Sequence, residues 1–164
     1  MARQCTIDIK NECTNYILSN PRMYLDSGRC VSPLPITLGP SASGSVQFTK
    51  IPFSMAGCVG VITYDLINNR TSQLTEKMAV MFHVPFNYTF YSNWYAVGIF
   101  DMSKNSEKKL YSEMYYNEEL RSFIRSTAGG TGLTYESHDV TIKATMTKTP
   151  DSVITVQLKN TPNE

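Results

Sequence analysis

Histidine and tryptophan are nearly absent: two histidines and one tryptophan stand in a chain of 164 residues. Catalysis needs convergent titratable groups, and His83 and His138 stand in no metal-ligand or nucleophile spacing. Neither an enzyme nor a metal or other cofactor is expected. An excess of charge of one sign is also missing. Fifteen Lys and Arg against fourteen Asp and Glu leave a formal charge of +1, too little to hold nucleic acid by phosphate neutralisation, so no nucleic-acid partner is expected. Cys5, Cys13, Cys30 and Cys58 lack the close pairs of a zinc or redox site. No apolar run of signal-peptide length follows Met1. These absences lead us to expect a soluble, cytoplasmic or non-classically secreted protein, with free buried thiols favoured over up to two bridges. The sequons Asn69-Arg70-Thr71 and Asn87-Tyr88-Thr89 are then expected to be unmodified.

Long aliphatic runs are lacking as well. Residues 78–100 carry no Asp, Glu, Lys or Arg, a length that invites a test as a membrane span. His83, Pro85, Asn87, Ser92 and Asn93 interrupt it, and its apolar content is largely aromatic, so it reads as strand, loop, strand. Period-two alternation recurs in residues 6–9, 15–18, 45–48, 57–66, 74–84, 95–100, 140–147 and 153–159, the mark of half-buried strands. Turn-rich patches such as Ser32-Pro33-Leu34-Pro35 and Thr149-Pro150-Asp151 separate them. The expected class is mainly β, a sandwich or barrel. Residues 106–116 depart from it. Ser106 stands as a cap before Glu107, and Leu110 with Met114 and Tyr111 with Tyr115 recur at four-residue spacing, which predicts a short helix on the sandwich. No repeat or linker divides the chain, and one domain over residues 1–164 is expected.

What the chain does have is aromatic clustering: eleven of its eighteen aromatic residues fall between Phe82 and Tyr116. Six stand in the stretch from Pro85 to Tyr95, between two strands. A connection cannot turn six rings into a core, so some are expected on the surface, where they mark a partner face or a water–lipid interface. Tyrosine faces attract a quaternary ammonium and their hydroxyls donate to phosphate, the two halves of a phosphocholine head group. Rings that merely cap the sandwich core are the competing account.

Specific runs carry a resemblance. Val84-Pro85-Phe86-Asn87-Tyr88, Tyr91-Ser92-Asn93-Trp94-Tyr95 and the run from Tyr111 to Asn117 resemble the Val-Pro-Tyr-Asp-Tyr, Tyr-Ser-Asn-Trp and Tyr-x-x-x-Tyr-Tyr-Asn runs of the actinoporins, the sea-anemone cytolysins. Gly57-Cys58-Val59-Gly60-Val61 and Tyr24-Leu25-Asp26-Ser27-Gly28 are similar to two further segments of that family. The resemblance implies a β-sandwich flanked by one or two short helices. It also implies a peripheral membrane-binding module whose partners are phosphocholine-containing membranes, sphingomyelin above all, with self-association on the membrane. By position, Ser27, Val59, Pro85, Tyr91, Tyr111, Tyr115 and Tyr116 match the family's phosphocholine pocket, and His83 stands where the family usually has Ser. Phe86, Tyr88, Phe90, Trp94 and Tyr95 are the expected interfacial aromatics.

The family perforates membranes with an amphipathic helix ahead of its first strand. Here only Met1 to Gln4 precede the strand pattern, about 14 Å when extended, and a spanning helix needs roughly 20 residues. Pore formation by that route is therefore not expected. If His83 reaches a phosphate, head-group binding is expected to rise as pH falls through about 6.5. A carbohydrate-binding, lectin-like protein is the alternative function, since fungal fruit-body lectins are similar in sandwich architecture.

Overall fold

The computed structural model describes residues 2–117 and 122–162. Its strands are β1 (Gln4–Asn11), β2 (Tyr16–Ser27), β3 (Arg29–Ser32), β4 (Thr37–Leu38), β5 (Ser43–Thr49), β6 (Cys58–Asn68), β7 (Leu74–Val84), β8 (Trp94–Asp101), β9 (Phe123–Thr127), β10 (Leu133–Glu136), β11 (Val140–Met146) and β12 (Asp151–Asn160). One helix, α1 (Glu107–Tyr116), occurs among the described residues. The strands form two sheets, ordered β10-β11-β12-β1-β5-β3 and β4-β2-β6-β7-β8-β9. All pairs are antiparallel except β1 with β12.

Alternation decides what lies between the sheets. Cys5, Ile7 and Ile9 of β1 and Ile154, Val156 and Leu158 of β12 face Ile62, Tyr64, Val80, Phe82, Tyr95 and Val97 of the second sheet in one buried cluster. Phe48 stacks on Phe82 with centroids 4.5 Å apart and closes the gap between the layers. A second cluster lies outside the second sheet, where Val61, Ala79, Met81, Ala96 and Phe123 receive Leu110, Tyr111 and Met114 of α1. The sandwich thus has a third layer on one face, and the sheet beneath that layer is apolar on both sides.

Polar groups fasten this layer. The Ser106 side chain accepts from the Lys109 backbone N–H and caps the helix. Lys77, 1% exposed, reaches Glu107 at 3.4 Å, and the Thr63 hydroxyl donates to the same carboxylate at 3.3 Å. Asp65 is buried between the Arg22 guanidinium at 3.1 Å and the Asn20 amide at 3.0 Å. All four thiols are free, with Cys5, Cys13 and Cys58 buried. Burial pushes Cys13 up to about 11 and Cys58 up to about 12, leaving both thiols protonated at neutral pH.

The mainly β sandwich and the capped helix over 106–116 are present, and the charge-free stretch forms most of β7, a loop and all of β8 but its last residue. No helix among the described residues is long and apolar enough to cross a membrane. Several elements extend beyond the alternating runs. β2 continues past residue 18 to Ser27 because an irregularity at Asn20, whose φ is 52°, lets the strand resume pairing at Arg22. The short strands β3, β4, β9 and β10 carry too few residues for alternation to register. Of the one or two flanking helices expected, one is found among the described residues.

Removing the Glu107 carboxylate leaves a buried ammonium without its counter-charge. Glu107→Ala is expected to cost about 3 kcal/mol, read as a melting temperature lower by roughly 6–12 °C. An unchanged melting temperature would mean that α1 docks independently of the pair.

Candidate functional site

Strand register assembles the site. Ser27 pairs with Val59, Val59 with His83, His83 with Trp94 and Trp94 with Thr127. Directly paired residues share a face, so these five side chains form one row across β2, β6, β7, β8 and β9. The next row on that face is Tyr24, Val61, Met81, Ala96 and Arg125. Helix α1 crosses above. Its first turn is held at Lys77 and Thr63, and its last turn brings Tyr115 to His83, edge-on at 5.0 Å.

The helix supplies three tyrosines to this end of the sheet. Tyr111 and Tyr115 stack with centroids 5.6 Å apart, Tyr116 meets Tyr115 edge-on at 4.7 Å, and Tyr24 packs on Tyr111 at 5.7 Å. Tyr111 is buried within that stack and supports it, while Tyr116 is 72% exposed. Met81, Trp94, Tyr115, Tyr116 and Arg125 line a cavity of about 290 Å³. Within it the Arg125 guanidinium lies 5.6 Å from the Trp94 ring centroid and donates to the Tyr115 carbonyl. Across the stack, the Asp26 carboxylate accepts from the Tyr24 hydroxyl at 3.5 Å. Burial raises Tyr111 and Tyr115, and Asp26 adds to both shifts. Burial lowers His83 below 6.5 and Asp26 partly offsets it. The imidazole Nδ1 is buried and has no hydrogen-bond partner among the described residues. An anion and a cation thus flank a group of aromatic rings, an arrangement suited to a zwitterion.

The loop from Pro85 to Asn93 borders this site and is held from behind. Asn93 is buried, accepts from the Tyr88 hydroxyl at 2.6 Å, and donates to the carbonyls of Thr147 and Thr149 at 3.0 and 2.9 Å. Arg3 donates twice to the Phe86 carbonyl, at 3.1 and 2.7 Å, with its guanidinium 5.0 Å from the Tyr88 centroid. These tethers fix the loop base and leave Phe90 and Tyr91 exposed. Tyr91 lines a neighbouring cavity of about 340 Å³ with Tyr88, Ser92, Asn93, Thr127, Ala128 and Lys148.

The expected residues therefore separate. Ser27, Val59, His83, Tyr115 and Tyr116 come together at one end of the sheet, with Val59 and Pro85 buried. Phe90 is exposed, whereas Phe86, Tyr88 and Trp94 are half-buried. Tyr95 is a correction. It occupies the opposite phase of β8 from Trp94, is 0% exposed, and donates its hydroxyl to the Ala144 carbonyl at 3.3 Å, so it belongs to the inter-sheet core. Tyr24, Asp26, Met81 and Arg125 were missed as candidates. Their signal was positional: Met81 and Arg125 stand two residues from His83 and Thr127 in strand phase, Tyr24 reaches the same phase three residues before Ser27 across the Leu25/Ser27 irregularity, and Asp26 lies at that irregularity.

The family model described as sea anemone cytotoxic protein matches residues 1–160. The chain belongs to that family, the actinoporins. This actinoporin is 44% identical to DELTA-alicitoxin-Pse1b of Phyllodiscus semoni over 61 residues, 37% of this chain and 24% of that protein. It is 29% identical to cytolysin tenebrosin-B of Actinia tenebrosa over 119 residues, 71% of this chain and 52% of that protein. The matched stretches span about half or less of these curated relatives' own length. Among solved structures, the lipid binding protein Nakanori superposes with a TM-score of 0.69 at 12% identity, over 98% of this chain and 71% of that one. The Xerocomus chrysenteron lectin XCL gives 0.52 at 12% identity, over 98% and 100%. At such identities the likeness speaks for the fold. Actinoporins are non-enzymatic proteins.

Three expectations follow for this actinoporin. Asp26→Asn removes the charge that favours protonated His83, so the imidazole is expected to titrate at lower pH than in the wild type, read by NMR. With a folded pKa below 6.5, neutral His83 contributes stability that is full above pH 6.5 and is lost as pH falls through the folded value. Asn93→Ala leaves the Thr147 and Thr149 carbonyls without their donor and is expected to lower stability by roughly 1–3 kcal/mol, measured by denaturant unfolding.

Proposed function

We propose that this chain is a peripheral membrane-binding, cytolysin-like module that recognises phosphocholine head groups of sphingomyelin and phosphatidylcholine. The observation that carries the reading is the tyrosine stack of α1 with Asp26 on one side and Arg125 on the other. In this account the quaternary ammonium rests against the exposed faces of Tyr115 and Tyr116 with Asp26 as its distant counter-charge. The phosphate is received by Arg125 and a tyrosine hydroxyl. Ser27, Val59, His83, Pro85 and Tyr111 shape and support that end of the sheet, and Tyr91 approaches from the loop. Phe86, Tyr88, Phe90 and Trp94 anchor the module at the water–lipid boundary. Family membership and the fold shared with the lipid binding protein Nakanori support the same reading.

Protonation of His83 adds a positive charge to this end of the site, so head-group binding rises as pH falls below 6.5. Binding that is flat between pH 5 and 8 means that the charge on His83 plays no part in head-group binding over that range.

The test is cosedimentation with dye-loaded vesicles of phosphatidylcholine plus sphingomyelin, beside phosphatidylglycerol vesicles, with soluble phosphocholine and simple sugars as competitors. Selective binding displaced by phosphocholine is expected, and released dye reports perforation separately. Tyr115→Leu with Tyr116→Leu keeps the bulk and removes the ring faces, and is expected to weaken binding by roughly ten-fold. Unchanged binding, or displacement by sugars rather than phosphocholine, overturns the reading.

A further inference from the structure

The connection from Lys50 to Gly57, between β5 and β6, exposes three large apolar side chains. Ile51 is 49% exposed, Met55 is 84% exposed, and Phe53 is fully in solvent. The Ser54 N–H donates to the Ile51 carbonyl at 3.1 Å, with Pro52 and Phe53 as the central residues and Phe53 at a φ of 65°. That is the pattern of a type II turn, whose first central position suits Pro and whose second favours Gly. A phenylalanine there incurs a backbone cost, and in solution its ring is buried against nothing that would offset it. Local rules broken without local compensation point to a role outside the fold.

Position narrows that role. Gly57, at the end of the connection, runs so close to the base of the aromatic loop that a Cβ there would lie 1.9 Å from the Val84 carbonyl oxygen and 2.9 Å from the Pro85 backbone. At the other end, the Lys50 N–H donates to the Arg3 carbonyl at 2.9 Å, and its ammonium lies 5.5 Å from the Phe86 centroid. Arg3 itself holds the Phe86 carbonyl. Both ends of the connection are therefore fastened to the loop that presents Phe90.

We infer that residues 51–55 form a second membrane wedge that inserts Phe53 and Met55 into the same bilayer leaflet the aromatic loop engages. The inference rests on the proposed membrane-binding function and extends it with a separate contact that takes acyl chain rather than head group. The exposed side chains are apolar without hydrogen-bonding tips, which suits the region below the head groups, whereas the Tyr115 and Tyr116 hydroxyls suit the head-group layer. Lys50 at the loop base is placed to meet lipid phosphate as the turn enters.

The experiment compares wild type with Phe53→Gly and with Phe53→Gly plus Met55→Ser. Glycine is the residue the turn favours and both side chains are exposed, so the melting temperature is expected to stay the same or rise. The lipid concentration for half-maximal cosedimentation with phosphatidylcholine–sphingomyelin vesicles is expected to rise about ten-fold per side chain removed. Affinity for soluble phosphocholine, followed by NMR titration, is expected to be unchanged, because the tyrosine stack is untouched. Equal vesicle binding by wild type and the double variant overturns the wedge alone. A wild type that binds neither vesicles nor phosphocholine overturns the wedge together with the function it rests on. A double variant that loses self-association in sedimentation velocity while keeping vesicle binding assigns the turn to a protein contact and overturns the wedge.

Discussion

Everything at the candidate site depends on the in-register pairing of β2, β6, β7, β8 and β9. Because side chains alternate, one register places Ser27, Val59, His83, Trp94 and Thr127 in a row on the outer face. The same register sends Phe82 and Tyr95 into the core. A slip of one residue between two strands would exchange these sets, putting the Tyr95 ring outside and the His83 imidazole among Ile and Val. The core and the binding face are thus two consequences of one hydrogen-bond pattern, and the apolar inner face holds the polar outer one in place.

The helix converts that row into a site. An apolar stripe of Leu110, Tyr111 and Met114 presses α1 onto Val61, Met81 and Phe123, and burial of that area drives the docking. Hydrophobic contact is non-directional, so direction comes from elsewhere. Lys77 and Thr63 hold Glu107 at one end, which brings the last turn to His83 and Arg125 at the other. A buried ion pair is a weak source of net stability, but it opposes any displacement that would part the charges. The tyrosines owe their position to a contact at the far end of their helix.

Tethers play the corresponding part for the loops. Asn93 satisfies three polar groups at the base of the aromatic loop, and Arg3 ties the start of β1 to Phe86 and, through its carbonyl, to Lys50. Polar groups face inward at the loop bases and apolar rings face outward at the tips, the reverse of the usual arrangement in a soluble protein. The aromatic loop and the connection from Lys50 to Gly57 lie at the same end of the sandwich and expose Phe53, Met55, Phe90 and Tyr91 there.

Much was legible in the chain because it was local. Alternation marked the long strands, Ser106 before Glu107 marked the helix start, and the crowding of rings from Phe86 to Tyr95 marked the surface that calls for explanation. The quoted runs marked the family. The family resemblance set Tyr95 among the interfacial rings, but it adjoins Trp94 in one strand, and neighbours in a strand face opposite ways. Tyr24 and Asp26 stand within a family-like run that points to Ser27 and not to them, Arg125 stands in no such run, and nothing local sets residues 51 to 55 apart.

By itself, then, the sequence determined the elements and their chemistry: which segments alternate, which carry aromatic rings, and how little charge accompanies them. Local propensity and pattern act over a few residues, and they suffice for that. The tertiary structure alone decided which side chains share a face, which ring is core and which is surface, and that two loops more than thirty positions apart in the chain lie side by side. Those outcomes follow from register between strands distant in sequence, and no short window of the chain contains both partners of such a pair.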